Sequence, residues 1–464
     1  MTDRQHFRCP SRPCGPFRQA DGWRKLPDRA GVSGKRKLLR TVIVVTLVLM
    51  TGGAAIGETG LPGHPVYRRP AADGPIARFL AQHWVYPLPP EGNPPKGYSP
   101  LEASLSPQAC GQCHRQQYED WRTSLHSKTV GPGLLWQFPL MDQQSANRCM
   151  RCHAPLAEQK ALAALEFHWP DAPSTPRPAY VGPLLFHQGL VCAACHVRYH
   201  HRFGPPPRPG MPPGNTPGLP HGGFTASAAF QHSRFCATCH QSPPGARRLD
   251  GKPFENTYAE WRASRFAREG VTCQSCHMPH RRHLWRGIHD PAMVRSGLRI
   301  ALRVTRVSRT AVDACAVIRS VAIGHDFPTY IVPKVYVTLY AVGPGGRDVR
   351  EIARHVIGRS VNLRLTHEYF DTRIPPGGKS VLATRLELGP PRPTTIELRI
   401  DVAPGAHYAR LFQHELRYRR PGDRATAAML RLALAETRAT RYRLIRLTVP
   451  IPSETGNSRR AAAN

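Results

Sequence analysis

The sequence predicts a chain in two parts, a mostly α-helical and irregular region followed by an all-β, sandwich-like region. Five Cys-x-x-Cys-His motifs fall between Cys110 and His277, with only short helical patches and two Pro/Gly-rich loops, 170–183 and 203–223, between them. After residue 296 apolar and polar residues alternate, as in Lys334-Val335-Tyr336-Val337-Thr338-Leu339-Tyr340 and Thr395-Ile396-Glu397-Leu398-Arg399-Ile400-Asp401-Val402, which is the period of a half-buried strand. Turn signals at Gly343-Pro344-Gly345-Gly346 and Pro375-Pro376-Gly377-Gly378 separate these runs, and several short strands so spaced suggest a β-sandwich.

Taken in order, residues 1–57 read as a signal peptide or membrane anchor. Lys35-Arg36-Lys37 precedes an apolar run from Leu38 to Ile56 broken only by Arg40, the pattern of an export signal. Cleaved at its small residues it is a signal peptide; uncut, it is nearly long enough to span a bilayer. Either way the basic cluster stays inside and the chain beyond is exported, to the periplasmic or extracellular side of the membrane. Residues 58–105 are Pro-rich and lack periodicity, as a linker or an extended wrap would. The motif-bearing domain is set at 106–295 and the β-domain at 296–450. Within the latter, Met429, Leu430, Leu432 and Leu434 mark a helix before a last strand through Leu444 and Val449. Residues 451–464 read as a frayed polar tail.

The motifs are Cys110-x-x-Cys113-His114, Cys149-x-x-Cys152-His153, Cys192-x-x-Cys195-His196, Cys236-x-x-Cys239-His240 and Cys273-x-x-Cys276-His277. Two thiols three positions apart can each add to one vinyl group of a porphyrin, and the adjacent His then falls under the iron. The spacing therefore predicts five covalently attached haems c. Cys-x-x-Cys pairs also build zinc sites and disulfides, but zinc does not require a His directly after every second Cys. Of the 13 cysteines, Cys9, Cys14 and Cys315 remain outside the motifs; Cys315 reads as a small buried hydrophobe.

Each iron has a second axial position, and what fills it separates an electron carrier from a catalyst. Only five of the 23 histidines follow a motif, so distal ligands are not scarce. His126 ends a stripe of Tyr118, Trp121 and Leu125 at helical spacing. His187 and His232 precede the third and fourth motifs, with His168, His200 and His201 as rivals. His283, with His289 as second choice, follows the fifth motif, and His325 sits in a loop at the edge of the β-domain, from where it could bond back to a haem.

These residues resemble the exported multihaem c-type cytochromes related to the tetrahaem electron acceptor of hydroxylamine oxidoreductase. The resemblance covers about 106–420. Beyond the motifs it rests on Tyr118-x-x-Trp121-x-x-Ser124-x-His126, Gly270-Val271-Thr272 and Met278-Pro279 around the fifth motif, His283-x-x-x-Gly287-x-His289-Asp290, and Gly324-His325-x-Phe327-Pro328-Thr329. It implies haems packed edge to edge or in stacked pairs within a mostly helical shell, most of them bis-His, serving as an electron wire. Tyr258-x-x-Trp261-x-x-Ser264 repeats the first pattern, but Phe266 stands where His126 would be.

The expected function is electron transfer through five haems rather than catalysis. The alternative is a multihaem oxidoreductase with one open haem acting on a small nitrogen compound such as nitrite or hydroxylamine, with Arg281, Arg282 and Arg286 near the anion. A net charge of +33 suits acidic redox donors and acceptors or an anionic membrane, and residues 38–56 offer membrane association. Nucleic acid is not among the expected partners.

Overall fold

In the computed structural model, residues 74–418, 424–454, 456 and 458–463 are described. The export segment, with Cys9, Cys14, the apolar run 38–56 and the first part of the Pro-rich stretch, lies outside them. No helix among the described residues is long and apolar enough to cross a membrane.

The chain enters through the helix Pro75–His83, started by a Pro whose missing N–H costs nothing in a first turn. The Pro-rich segment then wraps the body rather than tethering it, since Leu88 and Leu105 are buried. Ser99 and Glu102 close a reciprocal cap on the turn Pro100–Ala103, with Ser99 N donating to the Glu102 carboxylate at 3.0 Å and Glu102 N to Ser99 Oγ at 3.2 Å.

Each haem-type motif lies on a short helix or ends one: Pro107–Cys113, Gln143–His153, Cys192–His196, Ala237–His240 and Cys273–His277. One helical turn sets thiols at i and i+3 on the same face. The helices are short because the chain between them is loop and 3₁₀ turn.

The Tyr/Trp/Ser half-repeats fold alike. Trp121, on Arg115–Thr123, donates Nε1–H to Leu190 O at 2.8 Å, and Ser124 Oγ caps Trp121 O at 2.7 Å. Trp261, on Thr257–Ala263, donates to Val271 O at 2.9 Å, and Ser264 caps Trp261 O at 2.6 Å.

The C-terminal part is two four-stranded antiparallel sheets. One has the order Lys379–Glu387, Ala311–Ser320, Leu298–Arg306, Ser458–Ala463; the other Tyr442–Pro450, Thr395–Ala403, Lys334–Val342, Arg350–Ile357. Register puts like on like: Ile300 faces Ile318, and Leu398 faces both Leu339 and Leu447. Side chains of both sheets fill one continuous core, including Leu302, Val312, Val337, Leu398 and Ile400.

Three features differ from expectation. Ser458–Ala463, in the tail read as frayed, is an edge strand on Leu298–Arg306, with Ala461 opposite Leu302; Arg and Ala carry little strand signal. A second helix, Ala406–Tyr418, precedes Arg424–Ala439. Phe412, Leu430 and Leu434 of this pair pack on Trp136 of the motif region, not into the sheets. Cys315 is buried but also disulfide-bonded, not a plain hydrophobe.

The two parts meet in buried ion pairs. Arg373, 4% exposed, reaches Glu260 of the motif region at 2.8 Å and Asp371 at 2.9 Å. All described residues fall in one compact unit.

Candidate haem sites

All five motifs face one cavity of about 3360 Å³, several times the roughly 300–1,000 Å³ of a small-molecule pocket. The ten motif cysteines are free thiols. The sulfurs of neighbouring motifs lie close enough to act on one another: Cys110 on Cys192, Cys152 on Cys239, and Cys236 on Cys273. Among the described residues no three His, Cys, Asp or Glu gather to hold an ion directly. Free thiols, a large shared cavity and one His beside each thiol pair fit covalent haem.

The motif histidines are pre-set for a metal. A ligating imidazole must be neutral, and it gives Nε2 to the iron when Nδ1–H is held by an acceptor. His153 Nδ1 donates to Thr129 O at 2.7 Å, His196 Nδ1 to Phe203 O at 2.8 Å, and His277 Nδ1 to Arg286 O at 2.6 Å. His240 Nδ1 is hydrogen-bonded to the Tyr330 hydroxyl. Burial pushes His196 and His240 down to about 4, so both are neutral at physiological pH.

Three further histidines face motif histidines at nearly one spacing. Ring centres are 6.3 Å apart for His126 and His240, 6.3 Å for His277 and His325, and 6.1 Å for His196 and His283. A metal–imidazole bond is about 2 Å and the ring centre lies about 1 Å behind the nitrogen, so two imidazoles on opposite sides of one metal have centres about 6 Å apart. His283 Nδ1 is held by Arg281 O at 3.0 Å and His325 Nδ1 by Asp326 O at 2.9 Å. His126 Nδ1 is buried without a partner, and burial holds this ring down to about 3.

His325 reaches His277 because Gly324 lies flat on the second half-repeat: a Cβ there would meet Trp261 Cδ1 at 3.2 Å and Phe266 Cβ at 3.5 Å. The half-repeat that lacks its own histidine is therefore covered by a loop from the β-domain.

His187 and His232 are not brought to a motif histidine. His187 is on the surface, with Nε2 on Glu166 at 2.7 Å. His232 Nδ1 accepts from Arg234 N at 3.1 Å, which places the proton on Nε2 and removes the lone pair a metal would need. The rival His200 also spends Nε2, on Gly92 O at 3.1 Å.

One histidine was missed. His221 lies near enough to His114 to oppose its protonation. Its Nδ1 donates to Gly223 O at 2.9 Å, its N–H to Glu102 at 2.7 Å, and Tyr98 OH donates to its carbonyl at 2.6 Å. Its φ of +47° is a left-handed conformation that a non-Gly residue adopts at a cost. The available signal was a histidine between Pro220 and Gly222-Gly223 in a loop too long to be a plain connection.

For His153 no imidazole lies opposite among the described residues. Of the three arginines expected near an anion, Arg282 makes a bidentate pair with Asp120 at 2.6 Å and Arg286 pairs with Asp290 at 3.0 Å.

The family described as cytochrome c554 and c-prime matches residues 109–170. Among solved structures, a penta-haem cytochrome c552 from Thermochromatium tepidum is similar, with a TM-score of 0.53 and 19% identity, over 76% of this chain and 100% of that one. No curated protein matches. Together with the motifs, these likenesses support a multihaem c-type cytochrome with an electron-transfer role and redox-protein partners.

Proposed function

We propose that the chain is an exported pentahaem electron carrier, kin to the tetrahaem electron acceptor of hydroxylamine oxidoreductase, in which four haems are bis-His. The observation that carries this is three pairs of imidazoles with ring centres 6.1–6.3 Å apart, to which His221 beside His114 adds a fourth. In this reading the cysteine pairs attach the haems, His114, His153, His196, His240 and His277 are proximal, and His221, His283, His126 and His325 serve the first, third, fourth and fifth sites. Each haem supplies one reversible electron. The protein supplies position: neutral, pre-oriented imidazoles, and motifs one and three, two and four, and four and five brought side by side.

The second site favours a second reading. With no imidazole opposite His153, the iron there would be open to a small molecule, beside Glu255, which acts on Cys152, and Tyr408, which feels Glu255. An open iron is the first requirement of an oxidoreductase acting on nitrite or hydroxylamine.

A pyridine haemochrome assay against protein concentration, with electron paramagnetic resonance of the oxidised protein, tests both. Five haems with at least four low-spin bis-His signals are expected. Fewer than five haems, or more than one high-spin centre, would overturn the carrier. A high-spin centre that shifts with nitrite or cyanide would establish the open site, and five low-spin centres would dismiss it.

A further inference from the structure

Trp285 belongs to the segment after the fifth motif, yet neither motif chemistry nor axial ligation uses it. Its ring packs edge-on against two distal imidazoles at once, with centres 4.6 Å and 69° from His126 and 5.0 Å and 86° from His283. T-shaped contact is a favoured geometry between aromatic rings and fixes their mutual orientation. From the same residue, the backbone N–H donates to His277 O at 2.9 Å. One residue thus touches the ligand sets of the third, fourth and fifth sites. Its φ of +41° is left-handed, a conformation a bulky side chain adopts only where the surroundings impose it. The thiol of Cys195 in the third motif also lies near Cys236 and Cys239 of the fourth, so this ring is one of the contacts between the two sites.

We infer that Trp285 is the positioning residue at the junction of the third, fourth and fifth haem sites, clamping the distal imidazoles His126 and His283 in rotation about their metal bonds. The inference rests on the axial pairs proposed above. It makes an asymmetric demand. His283 is also held through Nδ1 by Arg281 O at 3.0 Å, whereas His126 Nδ1 has no hydrogen-bond partner, so the rotation of His126 depends on packing against Trp285. The imidazole plane of a low-spin haem governs its magnetic anisotropy, so loss of the clamp is readable without any activity assay.

The experiment uses the full-length, haem-loaded chain with Trp285→Leu and Trp285→Phe. Haem content by pyridine haemochrome should stay at the wild-type value. The largest g value of the low-spin signal assigned to the His126 site, the one abolished by His126→Met, should shift most in Trp285→Leu and less in Trp285→Phe, with a smaller shift at the His283 site. Unmoved g values in a fully loaded Trp285→Leu overturn the inference. If that variant does not take up haem, Trp285→Phe decides: the smaller ring leaves a gap at His126, and an unshifted signal there overturns it. Should His126→Met abolish no low-spin signal in the wild-type background, the axial pairing itself has failed, which is a separate and recognisable result.

Discussion

The two halves of this molecule solve the problem of an interior in opposite ways. The β-part closes on itself: two sheets interdigitate Leu, Ile and Val side chains into one core, and residues such as Leu302, Val337 and Leu398 are fully buried by protein alone. The motif region divides its apolar residues among smaller clusters, around Leu105, Leu156 and Leu185 and around Phe138, Met150 and Phe186, and these border the cavity onto which all five motifs open. A folded interior is close-packed, so a region whose own side chains leave about 3360 Å³ is built around something that is not polypeptide. The expectation is that folding is self-sufficient in the β-part and cofactor-dependent in the motif region.

The sharpest way to break that comparison is to deny the chain a haem. Cys236→Ala with Cys239→Ala removes the attachment point whose thiols contact both the second and fifth motifs. The expected outcome is loss of cooperative structure across the motif region, because metal and cofactor binding energy is folding energy in such sites. Amides of Leu298–Arg306 and Ala311–Ser320 should keep their protection from hydrogen exchange. Deprotection of those strands together with the motif region would show that the β-part is not self-sufficient. The converse variant, Leu302→Ala, should cost about 2–5 kcal/mol in the β-part while the haem content stays unchanged.

A smaller effect sits at the seam. Arg373 joins Glu260 of one half to Asp371 of the other, all nearly inaccessible to solvent. Arg373→Met leaves buried Glu260 without its cation, while Asp371 keeps Lys252 at 3.3 Å, a loss of about 3–5 kcal/mol. Because His325 lies beside Asp326, which also pairs with Arg373 at 3.4 Å, the low-spin signal of the fifth site should be disturbed before those of the other bis-His sites. Equal disturbance of every signal would mean the seam holds the whole fold rather than one site.

How much of this was legible in the sequence follows the same division. The β-part announces itself because alternation is local: Lys334–Val342 and Thr395–Ala403 can be read from side-chain period alone. Thiol attachment and the proximal histidines are equally local, fixed by five consecutive residues. Distal ligation is not local. His126 and His283 stand beside the first and fifth motifs in sequence but their rings face the histidines of the fourth and third, whereas His187 and His232, chosen for proximity to a motif, lie opposite no motif histidine among the described residues. What separates a ligand from a bystander is which ring nitrogen is engaged. His187 and His200 spend Nε2 and His232 carries its proton there, whereas His283 and His325 turn Nδ1 to a carbonyl. No spacing rule encodes this, because the acceptors belong to backbone brought in by the fold. The Gly-His-x-Phe-Pro-Thr setting of His325 is distinctive in the sequence, whereas the loop of His221 looks like punctuation.

The smallest expected effect compares the halves through protons. His83, whose Nε2 donates to Cys195 O of the third motif at 2.8 Å and whose ring feels His196, and His407 in the C-terminal half are each 3% exposed. Burial, the largest cause in both, pushes His83 down to about 3, helped by Arg198, and His407 to about 4, helped by Arg410 and Lys334. Both are lowered from an ordinary 6.5, so folded and unfolded chains bind equal protons above that value and neither histidine affects stability there. As pH falls below it, only the unfolded chain takes up the proton, and stability declines by about 1.4 kcal/mol per pH unit for each histidine, or about 2 kcal/mol each by pH 5. His407→Leu removes one of these terms. Its denaturation midpoint should fall less steeply between pH 6.5 and pH 5 than that of the wild type, and the difference should appear in the unfolding of the C-terminal half while the haem absorbance transition keeps its wild-type slope. Parallel slopes for wild type and variant would show that His407 is not held neutral by its burial.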